Sequence, residues 1–170
     1  MQIVLTDQEI YELIYKNFPF QEIRDIQKEA IFKIVKALVL ENKKYFILEC
    51  PTGGGKSAIA ITTAKILNEL FKERSTICTS TIALQDQYLK DFPELSNIMG
   101  KNNYECSRNG HKLLKYNEPV CSDLQSLKLC SPRNDCPYVI ARDFWQNKST
   151  HRITNTHFMV KAGEQIYSGI

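Results

Sequence analysis

Apolar residues recur at helical spacing through "EIYELIYKNF" (9–18), and Thr6 with Glu9 has the spacing of a capping box at its start. A second helix is predicted through "EIRDIQKEAIFKIVKALVLEN" (22–42), with Ile23, Ile26, Ala30, Ile34 and Leu38 on one face. The period then changes. "KKYFILEC" (43–50) is a short continuous apolar run, which predicts a strand buried on both faces of a parallel sheet. "PTGGGKS" follows, then a helical stretch "AIAITTAKILNELFKER", the β-branched "STICTST" and a helical "ALQDQYLKDF". Strand, loop, helix, strand, helix is the order of an α/β fold with a parallel sheet.

From about Ile98 to Cys136 the periodicity stops. This segment is polar and holds four of the six cysteines. A stretch with no long apolar face does not fold by burial alone, so a cross-linking ligand would account for it. Beyond it, "PYVIARDFWQNK" resumes a helix with Pro137 in the first turn, "HRITNT" reads as another strand, and "HFMVKAGEQIYSGI" completes the 170 residues.

Composition changes this picture little. At 43% hydrophobic, the chain can bury one core and carry an appendage. A net charge of +3 permits nucleic acid without demanding it. Lys33 and Lys36 interrupt the longest apolar run, and "MQIVLTDQEI" lacks the basic start of a secretory signal, so no membrane association is expected and a cytoplasmic or nucleoid-associated setting is. In that reducing setting clustered cysteines favour metal or redox chemistry over disulfides.

Cys50 to Ser57 nearly meets Gly-x-x-x-x-Gly-Lys-Ser/Thr, with Cys50 where the first glycine is usual. Pro51 and Thr52 enter the loop. Gly53, Gly54 and Gly55 let successive backbone N–H groups curl around phosphate oxygens, and Ala58 continues the helix behind them. Lys56 would reach the β- and γ-phosphates of ATP and the Ser57 hydroxyl would ligate Mg²⁺. The plainer reading is a glycine-rich turn, but three glycines in a row carry an entropic cost that a turn does not need. Arg24 and Gln27 fall on the helix upstream, and a glutamine amide can offer donor and acceptor together to an adenine edge; ordinary solvated side chains are the alternative.

The order of these motifs resembles the XPD/DinG group of superfamily 2 DNA helicases: "R-x-x-Q", "ECPTGGGKS", "TSTIALQDQYLKDF", a four-cysteine segment ending "CPY", and "RITNTHFMV", from Ile23 to Val160. The resemblance implies a RecA-like P-loop NTPase lobe with a parallel sheet, interrupted by a small iron–sulfur insertion, in an ATP-dependent helicase moving 5′ to 3′ on single-stranded DNA. The implied division is a first lobe portion over 1–97, an insertion over 98–136, and a return to the lobe over 137–170. Gln27 then matches the adenine-reading glutamine. Thr79, Ser80, Thr81 and Gln85 fall in the segment that contacts the DNA backbone, where short hydroxyls suit phosphates without reading bases; helix capping by Ser80 or Thr81 is an equal and compatible reading. "RITNTH" departs from the family's "TNH" ending by Thr156, between Asn155 and His157.

Cys106, Cys121, Cys130 and Cys136 lack the close pairs of structural zinc sites, and His111 is poorly spaced to help. Loose spacing ending in Cys-Pro suits four-thiolate ligation of a 4Fe-4S cluster better, with zinc the lesser alternative, and the resemblance carries most of that preference. Cys50 and Cys78 are expected as small apolar residues of core strands. Lys112, Lys115, Lys128 and Arg133 could supply phosphate contacts around the insertion, or simply keep it soluble.

No Asp-Glu pair occurs in the chain, so the second metal-holding motif that phosphoryl transfer needs is missing. Two functions follow as expectations. One is the front part of a DNA helicase that acts on a single strand or fork, inactive in hydrolysis until a second chain or C-terminal part completes it. The other is a non-enzymatic nucleotide- or strand-binding module with a zinc-stabilised insertion that regulates a partner.

Overall fold

The computed structural model describes residues 3–100, 103–106, 114–115 and 136–167, with residues 105–106, 114–115 and 162–167 described by backbone alone. The chain divides into two compact units, Met1–Ser75 and Thr76–Ile170.

In the first unit α1 (Asp7–Asn17), α2 (Asp25–Val35) and α3 (Lys56–Phe71) pack against one another. Thr6 starts α1 as expected: its hydroxyl accepts from the Glu9 N–H at 3.2 Å while the Glu9 carboxylate accepts from the Thr6 N–H at 2.7 Å. These bonds, the backbone one foremost, hold the Glu9 carboxyl below its usual range. Ile10 and Ile14 of α1, Ile31, Ile34 and Val35 of α2, and Ile59 and Ile66 of α3 form the core. Each fully buried isoleucine contributes roughly 1.5–3 kcal/mol of transfer free energy. Ile26, expected on the inner face, is instead exposed; the buried stripe of α2 runs through Gln27, Ile31 and Ile34, rotated by one residue. After Val35 the helix widens into a π-helical stretch, Lys36–Leu40.

The strand expected at 43–50 is not formed. Tyr45 and Ile47 are 87% and 94% exposed, and none of the described strands pairs with this stretch. An apolar run signals a demand for burial but does not name the partner that meets it.

The second unit carries a three-stranded sheet of order β1 (Ser75–Thr79), β5 (His151–Asn155), β2 (Ser96–Asn97). β2 runs parallel to β5, with Ser96 opposite Arg152 and Asn97 opposite Ile153. The parallel sheet is therefore present, with a short strand at 96–97 that no apolar run announced. α4 (Ile82–Asp91) follows β1; α5 (Pro137–Asp143), extended by a π-helical stretch Phe144–Lys148, precedes β5; and α6 (Thr156–Tyr167) follows it. Ile98, Trp145 and Phe158 make the core, and the Trp145 indole donates to the Ile153 carbonyl at 3.1 Å. Ile98 thus belongs to the sheet's core, although periodicity stops at that residue. In the segment beyond it, β3 (Glu105–Cys106) and β4 (Leu114–Lys115) pair antiparallel, with Cys106 opposite Leu114.

Cys78 does not lie in a core. On β1 it faces solvent while its neighbour Thr79 is buried, as the two-residue period of a strand requires. Cys50 is half-buried.

Candidate functional site

The glycine-rich loop occupies the entry to α3. Gly55 caps the helix in the left-handed region at φ 83°, and Gly53 is left-handed at φ 79°. A Cβ on Gly53 would meet nothing within 4 Å, so the loop is open on that side; one on Gly54 would lie 2.2 Å from Cys50 Sγ, and one on Gly55 1.9 Å from Gln27 Nε2. The Gly54 N–H donates to the Pro51 carbonyl at 3.1 Å, closing the turn. Lys56 is exposed, and its ammonium donates to the carbonyls of Cys50 at 2.9 Å and Pro51 at 3.0 Å, which holds the charge over the loop. Ser57 follows in the first helical turn, half-buried, with Ala58 buried behind it.

Arg24 and Gln27 meet this loop from α2. The Arg24 guanidinium donates from Nη1 to the Gly53 carbonyl at 3.1 Å. Gln27 is 4% exposed; its Oε1 accepts from the Arg24 N–H at 3.0 Å, which leaves Nε2 against Gly55. The residues that chemistry assigns to a nucleotide thus come together: an open glycine turn, a lysine poised over it, a hydroxyl in the first turn, and an Arg/Gln pair behind. This donor set fits a Mg²⁺-bound triphosphate. The Arg24 tie to the loop backbone was not foreseen; the R-x-x-Q spacing was its only signal.

In the second unit Ser80 and Thr81 are exposed at the start of α4, and the Thr81 hydroxyl caps it by accepting from the Leu84 N–H at 3.2 Å. The capping reading therefore holds for Thr81, and its exposure leaves it open to a ligand as well. Thr79 is buried, its hydroxyl donating to the carbonyls of Thr81 at 3.0 Å and Thr154 at 3.3 Å. Gln85 is placed differently from a strand-contacting residue. It is fully buried, and its amide is spent inside the fold: Nε2 donates to the Ile98 carbonyl at 2.9 Å and to Asn97 Oδ1, while Oε1 accepts from Asn155 Nδ2 at 3.1 Å. Asn155 Oδ1 in turn accepts from the Phe158 N–H at 2.9 Å, capping α6. A cleft of about 420 Å³ lies beside this network, and Ser80, Thr81, Asn103, Asn155, His157 and Lys161 line it. Asn103 and Lys161 were not singled out in the sequence; the spacing of His157 and Lys161, one helical turn apart, was the available signal.

Of the four cysteines, Cys136 is half-buried at the N-cap of α5 and Cys106 lies on β3, which packs against α5. Cys121, Cys130, His111, Lys112, Lys128 and Arg133 lie outside the described residues, and Lys115 is described by its backbone on β4. Among the described residues no three His, Cys, Asp or Glu side chains are grouped to hold a metal, a set that contains only one of these four thiols. Also among the described residues, no helix is long and apolar enough to cross a membrane.

A parallel-sheet α/β lobe with a glycine-rich phosphate loop at the start of a helix defines a P-loop protein of the RecA-like class. Residues 20–160 match the family model described as type III restriction enzyme, res subunit, and the chain belongs to that family, a superfamily 2 helicase lobe. It is similar to a probable ATP-dependent helicase of Methanocaldococcus jannaschii, 32% identical over 105 residues, which cover 58% of this chain and 16% of that protein. It is also similar to the ATP-dependent DNA helicase DinG of Escherichia coli strain K12, 29% identical over 124 residues (67% of this chain, 17% of DinG). DinG of Salmonella typhimurium is 27% identical over a stretch of the same length. The chain spans less than a fifth of the length of these relatives.

Proposed function

We propose that these residues are the ATP- and DNA-binding front portion of an ATP-dependent 5′–3′ DNA helicase of the XPD/DinG type. The observation that carries the reading is the seat of the phosphate loop: Lys56 over an open glycine turn, tied by Arg24 and backed by Gln27. Gly53 to Ser57 receive the triphosphate, with Lys56 neutralising its outer phosphates and Ser57 holding Mg²⁺. Gln27 reads the adenine, which requires its amide to turn from Arg24 toward the base. ATP, when bound, supplies the phosphoryl group whose hydrolysis drives such motors. With no Asp-Glu pair, these 170 residues bind ATP without turning it over.

Ser80, Thr81 and the cleft beside them take a phosphodiester of single-stranded DNA, while Thr79 and Gln85 hold that surface in place. The lobe runs over 1–97 and 137–170, with 98–136 as the insertion, whose first residue, Ile98, packs into the core of the sheet. Cys106, Cys121, Cys130 and Cys136 bind a 4Fe-4S cluster there, with Lys112, Lys115 and Arg133 beside the strand. Support for a shared metal centre comes from the packing of the Cys106 strand on the helix that Cys136 caps. The setting is cytoplasmic, and a further chain or C-terminal part completes the motor.

The experiment is anaerobic purification followed by an absorption spectrum and anisotropy of a labelled oligonucleotide. A shoulder near ~400 nm and preference for single strand over blunt duplex are expected. A colourless, zinc-containing protein would reject the cluster, and absence of any strand binding would reject the DNA role.

A further inference from the structure

The cleft of about 420 Å³ in the second unit has two walls. Ser80, Thr81 and Ile82 supply one at the entry to α4; His157 and Lys161, one helical turn apart on α6, supply the other. Hydrogen bonds join the walls. Asn155 Nδ2 donates to Gln85 Oε1 at 3.1 Å, and the Thr156 hydroxyl donates to the Thr79 carbonyl at 3.0 Å, so the entries to α4 and α6 keep a fixed spacing. The polar groups left to face a ligand are mainly donors. The Thr81 hydroxyl accepts from the Leu84 N–H, which leaves its own proton for a ligand, and Ser80 is exposed beside it. The Lys161 ammonium enters no ion pair among the described residues. Asn155 spends both ends of its amide, on Gln85 and on the Phe158 N–H, and Asn103 Nδ2 is turned to the Gly100 carbonyl at 3.1 Å. No carboxylate stands among the described residues that line the cleft.

A set dominated by donors selects an anion, and one ammonium balances one charge. Ile82, 40% exposed, offers the apolar surface that a sugar or base would cover. We propose that Lys161 is the cation of the strand path: its ammonium holds, from α6, the same backbone phosphate that the Ser80 and Thr81 hydroxyls hold from α4. The contact is one that neither the hydroxyl segment nor the cysteine-rich segment supplies. Because it meets phosphate and no base edge, it adds affinity without sequence preference. The proposal rests on the reading of this face as single-strand-binding, and it narrows that reading to one phosphate and one lysine.

The test is anisotropy of a labelled oligo-dT of about 12 nucleotides with the full chain, titrated at salt concentrations between about 50 and 200 mM. The wild-type chain should bind with an affinity that falls as salt rises. Lys161→Ala should bind about three- to tenfold more weakly at the lowest salt and shed about 0.7 from the slope of log affinity against log salt, the share of one phosphate contact on a single strand. Lys161→Arg should keep both. Lys90→Ala, which removes an exposed lysine from the far end of α4, should match wild type. Trp145 fluorescence reports that each variant is folded. Thr81→Ala combined with Lys161→Ala should lose at least about twofold less than the product of the single losses, because the two residues share one phosphate. An unchanged slope in Lys161→Ala, or an equal drop in Lys90→Ala, would overturn the contact while leaving strand binding in place. Losses that multiply would put Thr81 and Lys161 on separate phosphates and overturn it likewise. No strand binding by the folded wild-type chain would remove the wider reading and the contact with it.

Discussion

Gln27 Nε2 stands where a side chain on Gly55 would begin: a Cβ there would lie 1.9 Å from it. Gly55→Ala therefore drives a methyl into a buried amide at a residue whose φ of 83° already disfavours any L side chain. A loss of about 2–4 kcal/mol in denaturant unfolding is expected, together with loss of ATP binding. Gln27→Ala removes the obstacle, so the double variant should recover at least ~1 kcal/mol relative to the sum of the two single effects. Simple additivity would show that the two residues do not compete for this space.

Lys56 makes the opposite case. Its side chain is exposed, and among the described residues it bonds to two carbonyls of its own loop. Lys56→Ala should leave stability within about 1 kcal/mol of wild type while weakening ATP binding at least ~10-fold, since the ammonium is the cation that the loop itself offers to phosphate. Chemical denaturation and equilibrium titration on the same preparation measure both.

Asn155 and Thr81 separate structure from surface. Asn155→Ala orphans buried Gln85 Oε1 and the Phe158 N–H, and should cost about 2–4 kcal/mol. Thr81→Ala loses one helix cap, worth ~1 kcal/mol, yet it should weaken single-strand binding more than Asn155→Ala does in protein that remains folded. Equal binding by both folded variants would remove Thr81 from the strand site.

Much of the architecture was legible. The capping box at Thr6, the helices, the β-branched strand at 75–79 and the glycine-rich turn at the start of α3 each carry a local signature. What was not legible depends on partners distant in sequence. The apolar run at 45–48 reads as a buried strand, yet Tyr45 and Ile47 are exposed and none of the described strands pairs with them; the two-residue strand at 96–97 is too short to show a period, and Gln85 reads as a surface polar residue until Asn97, Ile98 and Asn155 are folded around it. Burial of Gln27 has the same origin, because Gly55 of the glycine-rich loop packs against its amide, while Ile26, one residue round the helix, stays exposed.

The tie between α1 and α3 predicts a pH effect. Lys16, first, and then Asn17 bond the Glu69 carboxylate and hold its pKa below the ordinary value. A depressed carboxyl contributes stability above the unfolded value, near ~4.3, and that contribution fades as pH falls through the lower folded value. Because the pair is largely solvated, the contribution is under about 1 kcal/mol. Glu69→Gln should flatten this part of the acid limb and leave the difference between pH 6 and pH 8 unchanged, as followed by urea unfolding.

The central claim is that the loop from Cys50 to Ser57 seats the phosphates of ATP. Isothermal titration of the 170-residue chain with ATP and Mg²⁺, beside Lys56→Ala, measures this most directly. The account predicts saturable one-to-one binding by the wild-type chain, affinity at least ~10-fold lower in the variant, and no release of phosphate. No binding by folded wild-type chain, or equal binding by Lys56→Ala, would contradict it.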